Sequence, residues 1–346
     1  MLLRIREKET LPIVMETDKP ANKEVLLHDL KEDSGAWVSG QLLSERLSMT
    51  RSAVWKQVKT LKAEGYVIEA SPRKGYRLCG LPDLLLVQEV RDGLATQVFG
   101  RGDIRHFRQT DSTNLQAKQL AARGAPEGTL VVAEEQTQGR GRRQRSWFSP
   151  PQQGIYASLI LRPAIPPTEA HRMTLLAAVA TTEALLAMTP LAVKIKWPND
   201  ILVGRGKIAG ILTEISTGME TVDYMVIGLG LNVNIPAGDF PEAFRTQATS
   251  ILAETGAFYP RPPLLRRYLE YFEYYYNIFQ SQGFGPVMQR WKALTEMLGR
   301  RIKVDTIGRQ HVGEVTDFDQ DGFLILREDG GESIRIFSGD VTFFEN

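Results

Sequence analysis

The sequence predicts an α+β protein of several domains, with an N-terminal winged helix-turn-helix, a central domain built on a mixed sheet and a C-terminal β-barrel. Three observations predict it. Helical periodicity gives way to a short hairpin before residue 80, apolar strands then flank a basic loop, and short glycine-punctuated strands follow Trp291. A chain of 346 residues is long enough for two or three such cores.

Composition excludes several classes of protein. The charges nearly cancel to +1, which argues against a general polyanion binder. The single cysteine, Cys79, excludes an intrachain disulfide and a multi-cysteine metal cluster, and it suits a reducing compartment. Residues 1–20 lack a sustained apolar core, so neither a signal peptide nor a membrane span is predicted there. We expect a cytoplasmic protein with a loose N-terminal extension over residues 1–20.

Residues 21–80 have the pattern of three helices closed by a hairpin. The apolar positions at helical spacing are Val25, Leu26 and Leu30, then Leu42, Leu43 and Leu47, then Val54, Val58 and Leu61. The turn at residues 48–50 separates the second and third helices, and Thr50 can cap the third. Residues 66–68 and 76–78 can pair as a wing.

The charge of this module favours DNA as its partner. Residues 51–77 contain seven basic and two acidic side chains. A cationic third helix beside a basic wing is typical of a major-groove reader. The residues we expect to reach bases or phosphates are Arg51, Ser52, Trp55, Lys56 and Lys74. Two alternatives remain open: the module could be a protein-interaction domain, and Trp55 could pack into its core.

The second predicted domain covers residues 81–298, after a linker at residues 79–83. A strand over residues 104–108 leads into Asp111, Ser112, Thr113 and Asn114, which open a helix over residues 115–122. A helix N-terminus with hydroxyl and amide groups suits the polar head of a ligand. Helix capping alone would need only one of these residues.

The most informative stretch is QTQGRGRRQRSWFSP at residues 136–150, which joins two predicted strands. It holds four arginines (Arg140, Arg142, Arg143 and Arg145) and no carboxylate. We expect an exposed loop that binds an anion such as a phosphate-bearing ligand; a solvated basic loop is the alternative. A dinucleotide-binding GxGxxG motif is excluded, because Gln144 replaces its third glycine and prolines follow where a helix should begin.

A second informative stretch is VKIKWPNDILV at residues 193–203. Strand alternation puts Lys196 on the face opposite Ile195 and Trp197. A lysine at the end of a core strand is costly unless it faces a ligand, and it suits phosphate or carboxylate. Asp200 could bind Mg²⁺, pair with Lys196 or cap the turn.

The remaining elements are expected to complete the sheet and core. A long apolar helix is predicted over residues 170–188, and strands over residues 207–214 and 224–232. The second strand has alternate glycines, which would let a ligand lie close to the backbone. An aromatic stripe at helical spacing is expected to be core: Leu265, Tyr268, Leu269, Phe272, Tyr275, Tyr276 and Phe279. Four short strands within residues 299–346 predict the C-terminal barrel.

With these motifs in hand, the chain resembles the biotin–protein ligases, specifically the bacterial bifunctional type that is also the biotin operon repressor. GRGRR at 139–143, WFSP at 147–150, KWPND at 196–200, KIAGIL at 207–212 and GLGLN at 228–232 stand in the family's order. The chain departs from the family loop at Gln144, often a glycine, and Ser146, often basic. The resemblance implies a biotin/lipoate-ligase-like central domain, similar to class II aminoacyl-tRNA synthetases, and an SH3-like C-terminal β-barrel.

The resemblance also implies roles for individual residues. It places biotin and its adenylate against Ser112, Thr113, Asn114, Gln136, Gly139, Arg140, Gly141, Arg142, Lys196 and Gly210. It places the nucleotide beside Trp147, Asn199 and Asn232, and it makes Lys196 and Arg142 catalytic. ATP and Mg²⁺ are implied as co-substrates, with Asp200 as a metal ligand and no tightly bound prosthetic group.

The implied activity is synthesis of biotinyl-5′-adenylate and transfer of biotin to a lysine of the biotin carboxyl carrier protein of acetyl-CoA carboxylase. A homodimer carrying the adenylate would bind operator DNA and repress biotin synthesis. Three alternatives remain: a lipoate–protein ligase, a ligand-sensing repressor without ligase activity, and a ligase whose N-terminal module no longer binds DNA.

Overall fold

The computed structural model describes residues 22–33, 35–218 and 220–344. The extension expected over residues 1–20 lies outside the described residues. The chain divides into two compact units, Met1–Pro82 and Asp83–Asn346, so the predicted C-terminal domain belongs to the same unit as the central domain. Within the described part, no helix has the length and apolar character needed to cross a membrane.

The first unit has the predicted three helices and hairpin. Its elements are α1 (Asn22–Glu32), α2 (Gly40–Arg46), α3 (Arg51–Ala63), β1 (Val67–Ser71) and β2 (Gly75–Gly80). Thr50 caps α3, as expected, by accepting a hydrogen bond from the Ala53 N–H at 3.2 Å. Two expectations are wrong: Leu42 is 38% exposed instead of buried, and Cys79 lies in β2, so the linker begins later.

The wing is fixed to the segment before α2. Val38 and Tyr76 exchange two backbone hydrogen bonds, of 2.8 and 2.9 Å. Gly75 has φ +96°, and a Cβ there would lie 2.0 Å from the Val38 carbonyl oxygen. The turn of the wing therefore requires glycine at this position, both for its conformation and for the close backbone contact.

The second unit contains a seven-stranded mixed sheet, as predicted. Its strands are β3 (Ile104–Phe107), β4 (Leu130–Ala133), β5 (Gly154–Leu161), β6 (Val193–Lys196), β7 (Asp200–Val203), β8 (Gly206–Thr217) and β9 (Val222–Asn232). They lie in the order β3-β4-β5-β9-β8-β7-β6. The pair β3–β4 is parallel and the other neighbouring pairs are antiparallel.

Helices cover both faces of this sheet. They are α4 (Val87–Arg91), α5 (Thr113–Ala122), α6 (His171–Met188), α7 (Ile251–Thr255), α8 (Arg261–Gln282) and α9 (Gly285–Leu294). In β4, Leu130 and Val132 join the large core that includes α6 and α8, whereas Val131 joins a smaller core under α5. The aromatic stripe of α8 is buried, which confirms that it is core. The N-terminus of α5 is thereby placed on the face opposite α6.

The C-terminal region is a five-stranded antiparallel sheet. Its strands are β10 (Arg301–Asp305), β11 (Gln310–Phe318), β12 (Leu324–Glu328), β13 (Ser333–Ile336) and β14 (Asp340–Phe343). They lie in the order β13-β12-β11-β10-β14, and over the described residues the two end strands are not paired with each other. The expected closed barrel is therefore not confirmed, and the sequence analysis missed β14. This edge strand borders the site described next.

Candidate functional site

A cavity of about 1130 Å³ opens between the loop at residues 136–150, the sheet and β14. It is lined by these residues for which a ligand role was predicted: Ser112, Thr113, Asn114, Gln136, Arg140, Gly141, Arg142, Trp147, Lys196, Asn199, Asp200, Gly210 and Asn232. Gly139 lies behind the lining, where a Cβ would come within 2.4 Å of the Trp147 carbonyl oxygen. The structure thus brings the other predicted ligand residues together in one cavity, whereas Gly139 is closely packed within the loop; their contacts with a ligand stay predictions.

The loop folds back on itself as an irregular hairpin. Arg140 and Ser146 form an isolated antiparallel bridge, and the Gly141 N–H donates to the Arg145 carbonyl at 2.7 Å. Arg143 and Gln144 have φ of 53° and 60°, in the left-handed region. Such a conformation favours glycine. Gln144 is thus a strained residue at a position where the family often has glycine.

The four arginines of the loop fall into two groups. Arg143 and Arg145 pair with the same oxygen of Asp340 on β14, at 3.0 and 2.6 Å. Arg142 is half-buried and donates to Asn199 Oδ1 at 3.1 Å, and burial holds the pKa of its guanidinium below the usual value. The C-terminal sheet therefore anchors the outer arginines, while Arg142 lines the cavity and hydrogen-bonds to Asn199.

Lys196 stands at the end of β6, as the alternation predicted. Its ammonium lies 5.6 Å from the centre of the Phe343 ring, and burial lowers its pKa. Asp200, opposite it in the register, instead forms an ion pair of 2.5 Å with Lys207. Among the described residues there is no cluster of three histidine, cysteine, aspartate or glutamate side chains that could hold a metal ion. The role of Asp200 as a metal ligand stays a prediction.

Beside the N-terminus of α5, polar groups form one hydrogen-bonded set. Gln136 Oε1 accepts from the Thr113 N–H at 2.9 Å and from the Thr113 hydroxyl at 3.2 Å. Gln136 Nε2 donates to Ser149 Oγ at 2.9 Å. Ser112 occupies the N-cap position of α5 without a capping hydrogen bond from its side chain. Simple capping therefore does not account for this group.

Two side chains of the protein pack directly against the glycines of β9. A Cβ on Gly228 would lie 2.1 Å from Asn114 Oδ1, and a Cβ on Gly230 would lie 2.5 Å from the Trp147 indole. Asn114 also donates to Glu214 Oε2 at 3.0 Å. Gly228 and Gly230 also line the cavity, so the expectation that a ligand lies close to this strand stays a prediction. They make room for two residues that line the cavity.

The two asparagines predicted at the nucleotide use their amide groups inside the protein. Asn199 Nδ2 donates to the Ile211 carbonyl, and Asn232 Nδ2 to the Thr249 carbonyl, both at 2.9 Å. Further lining residues were missed by the sequence analysis: Lys207, Phe240, Phe244, Asp340 and Phe343. Segment 236–248, which carries two of them, has no strand or helix periodicity that could have indicated the contact.

The first unit carries a separate basic surface on α3 and the wing. Trp55 is 52% exposed and lies under the Lys59 ammonium at 5.5 Å, so packing in the core is excluded. Arg51 donates to Gln41 at 3.0 Å, and Ser52 Oγ lies 3.0 Å from Thr50 Oγ1. Lys74 lies in the turn of the wing, and its ammonium is 5.7 Å from the centre of the Trp37 ring. These residues and Lys56 are exposed on the helix and wing, where a nucleic acid could contact them.

Three family models match the chain. The biotin/lipoate A/B protein ligase family matches residues 106–232, an HTH domain matches residues 22–77, and the C-terminal domain of biotin protein ligases matches residues 297–343. The first match covers the loop, Lys196 and most of the residues that line the cavity. The second covers α1 to α3 and most of the wing.

Curated relatives match over most of their length. The chain is 39% identical to the bifunctional ligase/repressor BirA of Bacillus spizizenii, over 91% of this chain and 97% of the relative. It is 36% identical to the biotin–[acetyl-CoA-carboxylase] ligase of Paracoccus denitrificans, over 68% of this chain and 98% of the relative.

A solved biotin protein ligase from Aquifex aeolicus, in complex with biotin and ATP, is similar over 71% of this chain and all of that one, with a TM-score of 0.61 and 26% identity. The residues of the cavity and the presence of a helix-turn-helix agree with the similarity to these proteins. The chain belongs to the biotin protein ligases, and its domains are those of the bifunctional ligase/repressors.

Proposed function

We propose that this protein activates biotin with ATP in the cavity and transfers it to a lysine of the biotin carboxyl carrier protein of acetyl-CoA carboxylase. The observation that carries the proposal is the pair of half-buried cations, Arg142 and Lys196, in one cavity with the Thr113–Gln136 polar set. The cations suit phosphate and carboxylate groups. The polar set suits the uncharged ring system of biotin.

In the first step, a biotin carboxylate oxygen attacks the α-phosphorus of ATP, and the bond from that phosphorus to the bridging oxygen breaks. The products are biotinyl-5′-adenylate and pyrophosphate. Negative charge develops on the α-phosphate oxygens, where Lys196 and Arg142 would stabilise it. The amide of Asn199 would hold Arg142 in position through the 3.1 Å hydrogen bond.

In the second step, the uncharged lysine amine of the acceptor attacks the acyl carbon, the carbon–oxygen bond to AMP breaks, and the amine loses a proton. A positive loop over the adenylate would keep water out until the acceptor arrives. We propose Arg140 and Arg142 for this role and Trp147 for packing on the adenine. Mg²⁺ would accompany ATP, and we propose Asp200, whose Oδ1 pairs with Lys207 at 2.5 Å, as a ligand of that ion.

The test is exchange of labelled pyrophosphate into ATP, which reports the first step alone. We expect exchange with biotin and little with lipoate, followed by transfer of biotin to the carrier domain. Exchange with lipoate alone would favour the lipoate ligase. Binding of biotin without exchange would favour a sensor that does not ligate.

We propose that repression operates through α3 and the wing in the cytoplasm, with biotinyl-5′-adenylate as corepressor and promoter of homodimerisation. Replacing Arg51 or Lys74 with alanine should weaken binding to operator DNA. The slope of log affinity against log salt concentration should fall by about one for each phosphate contact that is lost. A gel shift over a series of salt concentrations measures both quantities. Pyrophosphate exchange should stay at the wild-type rate, since neither residue lies in the cavity unit.

The same gel shift tests corepression. Operator affinity should rise on addition of biotin with ATP, in parallel with the dimer fraction measured by sedimentation. An operator affinity that does not change when biotin and ATP are added would contradict the corepressor role. It would not contradict the ligase activity.

A further inference from the structure

We infer that Glu214 is a positioning residue that makes the cavity select a ligand with an N–H donor. It orients the amide of Asn114, and two hydroxyl groups carry the effect of that orientation to the cavity. This role rests on the proposed activation of biotin, whose ureido ring has two N–H groups, whereas the dithiolane ring of lipoate has none. Glu214 does not line the cavity, so it would act on the ligand only through other residues.

The amide of Asn114 has only one orientation that satisfies its neighbours. Its Nδ2 lies 3.0 Å from Glu214 Oε2 and 3.3 Å from the Leu212 carbonyl oxygen. Both oxygens can only accept a hydrogen bond, so the NH2 group must face them. Asn114 Oδ1 therefore faces Ser158, whose hydroxyl oxygen lies 2.6 Å away. Asn114 is buried, which makes an unsatisfied amide costly.

Two hydroxyl groups connect this amide to the cavity. Ser158 Oγ lies 2.8 Å from Thr113 Oγ1, which lies 3.2 Å from Gln136 Oε1. The amide of Gln136 is also fixed, because its Oε1 accepts from the Thr113 N–H and its Nε2 donates to Ser149 Oγ. The chain of hydrogen bonds from Asn114 to Gln136 therefore begins and ends with an oxygen that can only accept.

This chain is one proton short. Its three contacts, of 2.6, 2.8 and 3.2 Å, share only the hydroxyl protons of Ser158 and Thr113. Since Asn114 Oδ1 takes the Ser158 proton, the Thr113 proton can fill only one of the other two contacts. A ligand N–H near Thr113 and Gln136, which both line the cavity, would supply the missing proton. A ligand without a donor would leave two acceptor oxygens facing each other, which is costly.

The carboxylate of Glu214 is held by two partners. Its Oε1 pairs with the Lys118 ammonium at 2.9 Å, while its Oε2 accepts from Asn114. Asn114 and Lys118 are one turn apart on α5, so Glu214 on β8 spans that turn. An amide in place of the carboxylate would keep its oxygen toward Lys118, which only donates. Its NH2 group would then face Asn114.

Glu214→Gln should therefore turn the Asn114 amide round without changing the size of either side chain. The substituted amide would need an acceptor, so Asn114 would present Oδ1 to it and Nδ2 to Ser158. The chain would then have a proton for each of its contacts, because the new one comes from Asn114. The site would no longer require a donor from the ligand.

Pyrophosphate exchange by the full-length protein measures this requirement. The probes are biotin and the two analogues in which one or the other ureido N–H is replaced by CH2, which removes a donor without adding bulk. In the wild type, KM for the more disfavoured analogue should exceed KM for biotin by roughly tenfold or more. In Glu214→Gln, KM for biotin should rise roughly tenfold and the two values should agree within about twofold. The value of kcat should change little, since Lys196 and Arg142 are untouched.

Lys118→Met is the matched control. It removes the ion pair of Glu214 but keeps the carboxylate that accepts from Asn114, so the preference for biotin should be that of the wild type. The exchanged pair Asn114→Asp/Glu214→Gln is the rescue, because the aspartate again offers Ser158 only an acceptor. It should recover most of the preference. The Leu212 carbonyl would lose its donor, which limits the recovery.

Ser158→Ala tests the chain without any change at Glu214. With this hydroxyl removed, the Thr113 proton can fill the contact with Gln136, so the preference for biotin should again fall. Adding Glu214→Gln to Ser158→Ala should change KM no further, since the orientation of Asn114 can no longer reach the cavity.

Three results would overturn the role of Glu214. A wild-type preference in both Glu214→Gln and Ser158→Ala would show that this chain does not select the ligand. An equal loss of preference in Lys118→Met would assign Glu214 to the ion pair alone. An exchanged pair that behaves like Glu214→Gln would exclude the orientation of Asn114 as the cause. Absence of exchange with biotin in the wild type would contradict the proposed function itself, so the two failures are distinguishable.

Discussion

Replacing Lys196 with methionine should slow biotin-dependent pyrophosphate exchange by about a hundredfold or more, which is typical of losing a positioned donor to developing charge. Methionine keeps much of the apolar length of the side chain, so β6 should fold normally. The ammonium is half-buried beside Phe343, and its charge is most effective where water is scarce. The loss should therefore appear in kcat more than in KM for biotin.

Two further variants define the origin of that loss. Lys196→Arg keeps a cation but moves its charge, and it should recover part of the rate. Lys292→Met is the matched control, because Lys292 pairs with Asp317 at 2.6 Å away from the cavity lining. A Lys196→Met enzyme with wild-type exchange would remove this residue from the chemistry.

The pKa of Lys196 adds a test that depends on pH. Burial lowers this pKa, so the free enzyme should lose the ammonium at a lower pH than an ordinary lysine would. Exchange at limiting ATP should then decline at a lower pH than the pKa of an ordinary lysine would predict. The decline should be absent in Lys196→Arg, since a guanidinium stays protonated throughout that range.

The sequence analysis singled out these cations because they lacked partners nearby in the sequence. The loop at residues 136–150 has four arginines and no carboxylate, and Lys196 interrupts an apolar strand. Both features are local and readable without a structure. That Arg143 and Arg145 would pair with Asp340, while Arg142 would not, could not be predicted, because Asp340 lies 197 residues from Arg143 in the sequence.

The glycines of β9 also show that contacts between distant parts of the sequence could not be predicted. Alternate glycines in a strand indicate that something approaches the backbone closely, and this was correct. What approaches depends on tertiary packing: Asn114 covers Gly228 and Trp147 covers Gly230. The missed strand β14 has a related cause, since its four residues are too few for a clear alternation.

Arg261 was assigned no role from the sequence, yet it joins both ends of the loop. Its side chain is fully buried at the start of α8. It donates to the Gly154 carbonyl at 3.0 Å and to Glu134 Oε2 at 2.8 Å, and its Nε lies 3.0 Å from Asp83 Oδ2. Glu134 ends the segment before the loop and Gly154 begins the strand after it. One guanidinium thus fixes the two ends and the start of the second unit.

Arg261→Met should therefore lower the free energy of unfolding by about 3–5 kcal/mol at pH 7, because it leaves the carboxylate of Glu134 buried without its main counter-charge. Urea unfolding measures the loss. Arg267→Met is the matched control: Arg267 forms a surface ion pair of 3.0 Å with Glu270, and its loss should cost less than about 1 kcal/mol. Equal stabilities of the two variants would contradict the assignment.

The pH dependence of this loss follows from Glu134. In the wild type, burial alone would raise its pKa, but the hydrogen bond from His106, the charge of Arg261 and the Leu85 N–H together hold the pKa below the ordinary value. Glu134 therefore contributes stability above its unfolded pKa, and this is lost as the pH falls through the lower folded pKa. In Arg261→Met, the uncompensated burial should raise the pKa of Glu134 in the folded state. The variant should therefore regain part of its lost free energy of unfolding as the pH falls and Glu134 becomes protonated.

The double variant Arg261→Met/Glu134→Gln tests the same point at constant pH. Replacing the carboxylate together with its cation should lower the free energy of unfolding by less than the sum of the two single replacements, since no buried charge is left unpaired. Additive costs would show that Arg261 acts only through Asp83 and Gly154. The contact between Arg261 and Glu134 should also affect activity, because Gln136 follows Glu134 by two residues. A variant that weakens this contact should raise KM for biotin under conditions in which the chain is still folded.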